Sequence, residues 1–421
     1  MDFRPWPSGI VVVNRLNRRL AMNQESASTR QSRLVAALAG GWVADAASLG
    51  LHWLYDSERV REVGGDSPEF MEPREAHYKG VFGYFAHGGK RSGDISHYGA
   101  ATGVLTDSLL VSRGILDVRD YQRRFRTFFG PGGQWHGYID NPTRITLDNL
   151  NRNEQAAIEK ALASTTVNLT DRQKRILVQK VLPYTRYLSG EELAEPVRTA
   201  INLTYQDPAI QDAGVHIAQT IDRQLTRLSG ADDTQLPAIT KLPPLVACYC
   251  GDDDLMAATE AAARVTNHSD EAVAWARCSA RLLDHLFRGE PMSFALEAAI
   301  AEAPDPEALS LAQAVSSLDG PRAGDSHGRT CYLHEAMPVI FHILAHAKSF
   351  TEAVRANILC GGDSCGRAWI IGPAMAAVYG VGGAQGIPLS WLARLSDGDR
   401  ILSDLEKLVA TERLLQNGGD D

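Results

Sequence analysis

The stretch NILCGGDSCGRAW, Asn357 to Trp369, sets two glycines and an aspartate ahead of what reads as a helix. Asp363 has two uses there. Its carboxylate can cap the helix and pair with Arg367 one turn on. It can also give oxygens to a hard cation such as Mg²⁺, which gathers carboxylates and hydroxyls from distant segments. A metal-binding form of this turn needs a second carboxylate two residues on, and Cys365 stands there.

Three other turns join small residues to carboxylates. GGWVADAASLGLHWLYD carries Asp45 inside an Ala/Gly helix, where a lone buried carboxylate needs a bonding partner. GDISHYGAATG brings Asp94, Ser96, His97 and Tyr98 into the start of another helix, and SGADDTQLP holds adjacent Asp232 and Asp233. Each has a structural reading as well: Asp94 or Ser96 as a helix cap, and Asp232 and Asp233 as a solvated loop. His97 suits a base near neutral pH. Gly361–Gly362 and Gly132–Gly133 can offer backbone N–H groups to phosphate. Arg367 can pair with phosphate or with Asp363. His52 and Trp53 can stack on an adenine or ribose, or pack in the core. Cys365 can act as a nucleophile or simply pack in the core, and packing is favoured because no base stands beside it in sequence.

The elements that must hold these residues are helices. Leu34, Leu38 and Val43 recur at helical spacing, and DRQKRILVQKVLPYTRYL and DEAVAWARCSARLLDHLFRG are amphipathic. No neighbouring stretches alternate as a hairpin does, so the fold expected is all-α, one compact multi-helix domain over residues 31–415. Long loops fall at Glu62–Ser92 and Ser316–Thr330, lengths that in a helical domain signal function or mobility. Pro373 should kink or break the helix that contains it. Residues 1–30, rich in arginine, read as a disordered extension, with Met22 as an alternative start and a transit peptide as a third reading.

Composition narrows the function. The chain has 421 residues, 44% hydrophobic and 22% charged, with a formal net charge of -9. That balance argues against a nucleic-acid partner, and no run of 18 apolar residues suggests a membrane span. Cys248, Cys250, Cys278, Cys331, Cys360 and Cys365 fit neither a zinc knuckle nor a disulfide scaffold, so free thiols in a cytoplasmic, reducing compartment are expected.

The ordered set of motifs resembles the ADP-ribosylglycohydrolase family, in particular its branch containing the J-type lens crystallins. GGWVADAASLGLHWLYD resembles the family's opening helix. HGYIDNPTRITLDNL resembles a segment of that branch. GRTCYLHEAMPVIFHIL and FTEAVRANILCGGDSCGRAWIIGPAMAAVYG resemble its last two helices, and GIPLSWLARL its closing motif. The resemblance implies an all-helical hydrolase that removes ADP-ribose from a small molecule or an ADP-ribosylated protein, using two Mg²⁺ ions in a cleft. It places the first ligand turn at Ser96-His97-Tyr98-Gly99 and the second at Asp363-Ser364-Cys365-Gly366. Asp232 and Asp233 are further candidate metal ligands, Asp363, Asp45 and His97 candidate catalytic residues, and Gly361, Gly362, Trp53 and Arg367 candidate substrate contacts. His97, Tyr98 and Cys365 replace carboxylates, and imidazole and thiol are softer than Mg²⁺ prefers. A single ion, a softer ion such as Zn²⁺, or no ion all remain open. The alternative expectation is an inactive, crystallin-like binding or structural protein.

Overall fold

A computed structural model describes residues 30–164, 169–185, 188, 191–203, 214–225 and 229–411. The helices are α1 Arg30–Ser48, α2 Ser57–Gly64, α3 His97–Val111, α4 Val118–Phe129, α5 Asn141–Ala163, α6 Asp171–Thr185, α7 Glu191–Asn202, α8 Gly214–Leu225, α9 Pro237–Thr240 and α10 Leu242–Tyr249. They continue as α11 Leu255–Thr266, α12 Asp270–Arg288, α13 Met292–Ile300, α14 Pro306–Gln313, α15 Gly320–His327, α16 Leu333–His346, α17 Phe350–Cys360, α18 Ser364–Tyr379, α19 Leu389–Leu392 and α20 Gly398–Val409. Among the described residues there are isolated bridges but no sheet. The expected extension over residues 1–30 lies outside the described residues except for Arg30, which starts α1.

Small residues set the centre of the fold. A Cβ on Gly40 would lie 2.5 Å from the Gly372 carbonyl oxygen, and one on Gly372 would lie 2.3 Å from that of Gly40. Only glycine at both places lets α1 and α18 touch backbone to backbone. Trp369 closes the contact edge-on against Trp42, ring centroids 5.3 Å apart. Pro373 sits within α18 beside Gly41, and the helix runs on past it to Tyr379. Arg30–Leu51 is long and apolar enough to cross a membrane by length and composition, yet 94% of its most apolar window is buried inside the protein. Its apolarity is that of a core helix.

The described residues form two hydrophobic clusters. The larger joins α1, α3, α10–α12 and α16–α20. A smaller one is built from Ile158, Leu162, Leu177, Val181, Val197, Ile201, Ile217 and Ile221, on the distal half of α5 and on α6–α8. The amphipathic pattern of DRQKRILVQKVLPYTRYL indicates the α6 helix without showing what closes on it. A buried Arg126–Glu154 ion pair, with Thr185 bonded to Glu154 at 3.2 Å, ties this lobe to α4.

The Ser316–Thr330 loop contains α15 and is pinned by α16, since His342 Nε2 accepts from the Asp319 N–H at 3.1 Å. The Glu62–Ser92 loop returns to the core through Leu54, which bridges both Gly83 and Gly362.

Candidate functional site

Three helices begin in one place. Ser96 caps α3, accepting the N–H groups of Tyr98 and Gly99. Asp140 caps α5, accepting from the Thr143 N–H at 2.7 Å. Asp363 caps α18, accepting from the Gly366 N–H at 2.9 Å. A helix N-terminus carries partial positive charge, so this convergence is a favourable field for carboxylates.

Asp45, on α1 and fully buried, faces that convergence. Ser96 donates to it twice, from its backbone N at 2.8 Å and from Oγ at 2.6 Å. Burial pushes the Asp45 carboxyl up to about 6 despite those two bonds. A Cβ on Gly99 would come within 2.7 Å of Asp45 Oδ2, so glycine there keeps the carboxylate against the α3 terminus.

Asp363 is also fully buried but behaves oppositely. Tyr98 Oη donates to its Oδ2 at 2.7 Å, and His52 Nε2 lies 3.0 Å from its Oδ1. Burial raises its carboxyl, but His52, the Tyr98 hydroxyl and the Gly366 N–H outweigh that and hold it well below the usual carboxylate range. Burial pushes the His52 imidazole down, against the pull of Asp363. The arrangement is therefore an ionised carboxylate receiving three donors from the chain itself. Behind it, His52 Nδ1 lies 2.6 Å from His87 Nε2, and the two rings stack.

His97 turns its Nε2 to Asp140 Oδ2 at 3.1 Å. Burial raises the Asp140 carboxyl, but the hydrogen bonds from His97 and Thr143 bring it below its ordinary value. His97 Nδ1 is buried with no hydrogen-bond partner among the described residues, as is Trp53 Nε1. Both rings belong to one cluster with Tyr138, whose centroid is 5.5 Å from His97 and 4.8 Å from Trp53. Tyr84 extends the cluster to the surface, where it is 56% exposed.

Several expected contacts have other uses. Arg367 is buried and donates to Asn357 Oδ1 at 2.9 Å and to the carbonyls of Gly361, Asn357 and Arg329. It braces the turn before α18, which removes it as a phosphate ligand, and it does not pair with Asp363. The Gly361 and Gly362 N–H groups donate to Ile358 and Leu54 carbonyls, and that of Gly133 to Gly130, so none of the three is free for phosphate. Glycine at 362 is needed for shape: its φ is +66° and a Cβ would meet the Arg329 carbonyl oxygen at 2.1 Å. Trp53 packs in the core with φ +63°, held by the Gly362 carbonyl and by Tyr84. Asp94 bonds Ser396, away from the cluster. The Cys365 thiol is buried and donates to the Asp45 carbonyl, and burial raises it far above the reactive range. Asp232 is exposed. Asp233 is tied to the Gln235 N–H and to Asn267, with burial and the nearby Asp140 and Asp232 pushing it up to about 6.

Sequence reasoning did not find Asp140, His87 or Lys241. Asp140 had a signal, Asp-Asn-Pro-Thr ahead of a helix, which is a capped start with proline in the first turn. His87 sits among glycines with no periodic context. Lys241 lies fully inside, bonded to Thr266 Oγ1, and burial lowers its ammonium to about 7 against the pull of Asp140.

A pair of hard dications does not fit this donor set. Such ions need several open carboxylate oxygens. Asp363 already accepts three donors, and Ser96 Oγ gives its proton to Asp45 and accepts two N–H groups. No group of three or more His, Cys, Asp or Glu suited to a metal occurs among the described residues.

A model of the family described as ADP-ribosylglycohydrolase matches residues 26–418. Crystallin J1A of Tripedalia cystophora is 26% identical over 394 residues, covering 91% of this chain and 98% of its own. Crystallin J1B of the same organism is 24% identical over 390 residues, covering 90% and 97%. A solved structure described as an ADP-ribosylglycohydrolase-related protein complex superposes with a TM-score of 0.54 at 20% identity, covering 91% of this chain and 98% of that one. The last likeness is one of fold.

Proposed function

The chain belongs to the ADP-ribosylglycohydrolase family, and from that premise we propose that it hydrolyses a glycosidic bond of an ADP-ribosyl or related ribosyl compound without a two-magnesium centre. The observation that carries this reading is the His97–Asp140 pair. Asp140 fixes one imidazole nitrogen, and the other, Nδ1, is a buried polar atom with no partner among the described residues. A base oriented by a carboxylate, with its other ring nitrogen unpartnered, is the arrangement that takes a proton from water.

The two buried carboxyl groups complete the chemistry that glycoside hydrolysis requires. Water adds to the anomeric carbon as its bond to the leaving group breaks, and the water proton passes to His97 Nδ1. Asp45, pushed up to about 6, supplies the proton taken by the leaving group. Asp363, held ionised, offsets positive charge on the ribosyl centre.

A second reading is a non-catalytic binding or structural protein. It is favoured by the closed network around Asp45 and Asp363, whose oxygens are satisfied internally, and by relatives named as crystallins. One experiment separates the two: ribosyl release from a panel of ribosylated substrates, for the wild type, His97→Ala and Asp363→Ala. The hydrolase reading expects turnover that falls by about 10²–10⁴ in His97→Ala, the usual worth of a general base. Absence of turnover on every substrate, with ADP-ribose still bound, supports the second reading instead.

A further inference from the structure

A second hollow, of about 350 Å³, lies between α1, α3, α4 and α20. Its apolar walls are Trp42, Val104, Phe128, Trp135, Ile401 and Leu405. Asp107 also lines it, and comes about two and a half turns after Tyr98, so it stands on the opposite side of α3 from the residue that reaches Asp363. The hollow is therefore separate from the carboxylate cluster.

Three features shape it for a flat ring. A Cβ on Gly103 would lie 3.3 Å from Trp42 Cη2, so glycine there leaves the indole edge bare to the hollow. Trp135 gives its N–H to the Tyr138 carbonyl at 2.9 Å, which leaves its ring as the contact surface. Phe128 stands beside it, ring centroids 6.3 Å apart. The volume falls at the small end of ligand pockets, about 300–1,000 Å³, and suits one bicyclic ring.

Asp107 sets the polarity. It is exposed at the rim and makes no hydrogen bond or ion pair among the described residues. Partial burial raises its carboxyl, against the pull of Arg400 and Arg124. Each of those arginines is already held by another carboxylate, Arg124 by Asp120 and Arg400 by Asp404. An anionic ligand would meet Asp107, and a cationic one would meet the two guanidinium groups. A neutral N–H donor meets neither objection and gives the open carboxylate a partner.

We propose that this hollow binds a neutral bicyclic heteroaromatic ring that carries an N–H, with the ring packed on Trp42, Phe128 and Trp135 and the N–H donated to Asp107. Indole and adenine both have this chemistry. The site is independent of the hydrolase reading, and its test uses no glycoside.

The test is calorimetric titration of indole, adenine and 1-benzofuran into the wild type, Asp107→Leu and Gly103→Leu. Benzofuran has the shape of indole with oxygen in place of the N–H. The proposal expects one saturable site for indole, with benzofuran weaker by about three- to tenfold, the worth of one hydrogen bond. Asp107→Leu should bring indole down to the benzofuran level, and Gly103→Leu, which fills the hollow, should abolish both. Tighter binding of adenine than of indole assigns the site to purines, and the reverse order to indoles. Absence of saturable binding by both indole and adenine overturns the proposal. So does equal affinity for indole and benzofuran in the wild type, or an indole affinity unchanged in Asp107→Leu. If Gly103→Leu fails to fold, the wild-type ratio and Asp107→Leu still decide it.

Discussion

Tyr98 Oη donates to Asp363 Oδ2 across 2.7 Å, joining the first turn of α3 to the cap of α18 over a sequence separation of 265 residues. A phenol whose burial and neighbouring Asp363 push its titration well above the ordinary value stays protonated. It therefore holds the anion with a hydrogen bond where a carboxylate at the same place would repel it.

Tyr98→Phe removes that donor and leaves a buried charged oxygen short of a partner. A loss of about 1–3 kcal/mol in unfolding free energy is expected, the cost of an unsatisfied buried acceptor. Urea titration measures it, and a change within error of zero would show that another donor replaces the phenol.

The two carboxyl groups give stability opposite dependences on pH. Asp363 is depressed, so its contribution is full above the unfolded carboxyl range and is lost as pH falls toward its folded value. Asp45 is raised from 3.8 to about 6, so its contribution is full below 3.8 and is lost as pH rises through that window. Asp363→Asn should flatten the acid limb below about pH 4, and Asp45→Asn should flatten the decline from 3.8 to about 6. Urea midpoints across pH 3 to 7, on about half-unit steps, test both. Identical slopes in wild type and Asp45→Asn would reject the assignment to Asp45.

Gly372→Ala forces a methyl group toward the Gly40 carbonyl oxygen, 2.3 Å from the ideal Cβ position. The expected loss is about 1–3 kcal/mol or more, since neither helix backbone can retreat without opening the core. Gly380→Ala is a poor control despite its open surroundings, because its φ is +69°. Ala301→Gly, at the exposed end of α13, serves better.

Helical periodicity made the all-α fold legible, and the carboxylates interrupting small-residue stretches marked Asp45, Ser96 and Asp363. The structure links those three through Tyr98, because Ser96 caps the turn from which Tyr98 reaches Asp363. Arg367 was misread because four-residue spacing on a helix suggests a pair with Asp363. A cap side chain points at its own helix terminus, and the guanidinium instead found carbonyls in the preceding turn. His87 was invisible because a loop histidine gains a partner only through tertiary contact. The separate core of α5–α8 was hidden for the same reason, since each helix shows its apolar face but not what covers it.

The chain's own donors already occupy the Asp363 oxygens, the arrangement on which the proposed absence of a two-magnesium centre rests. Calorimetric titration of Mg²⁺ into the wild type and Asp363→Ala, in chelator-washed protein, tests it most directly. The account predicts no saturable heat that depends on Asp363. Tight binding of Mg²⁺ at two sites in the wild type, lost in Asp363→Ala, would contradict it.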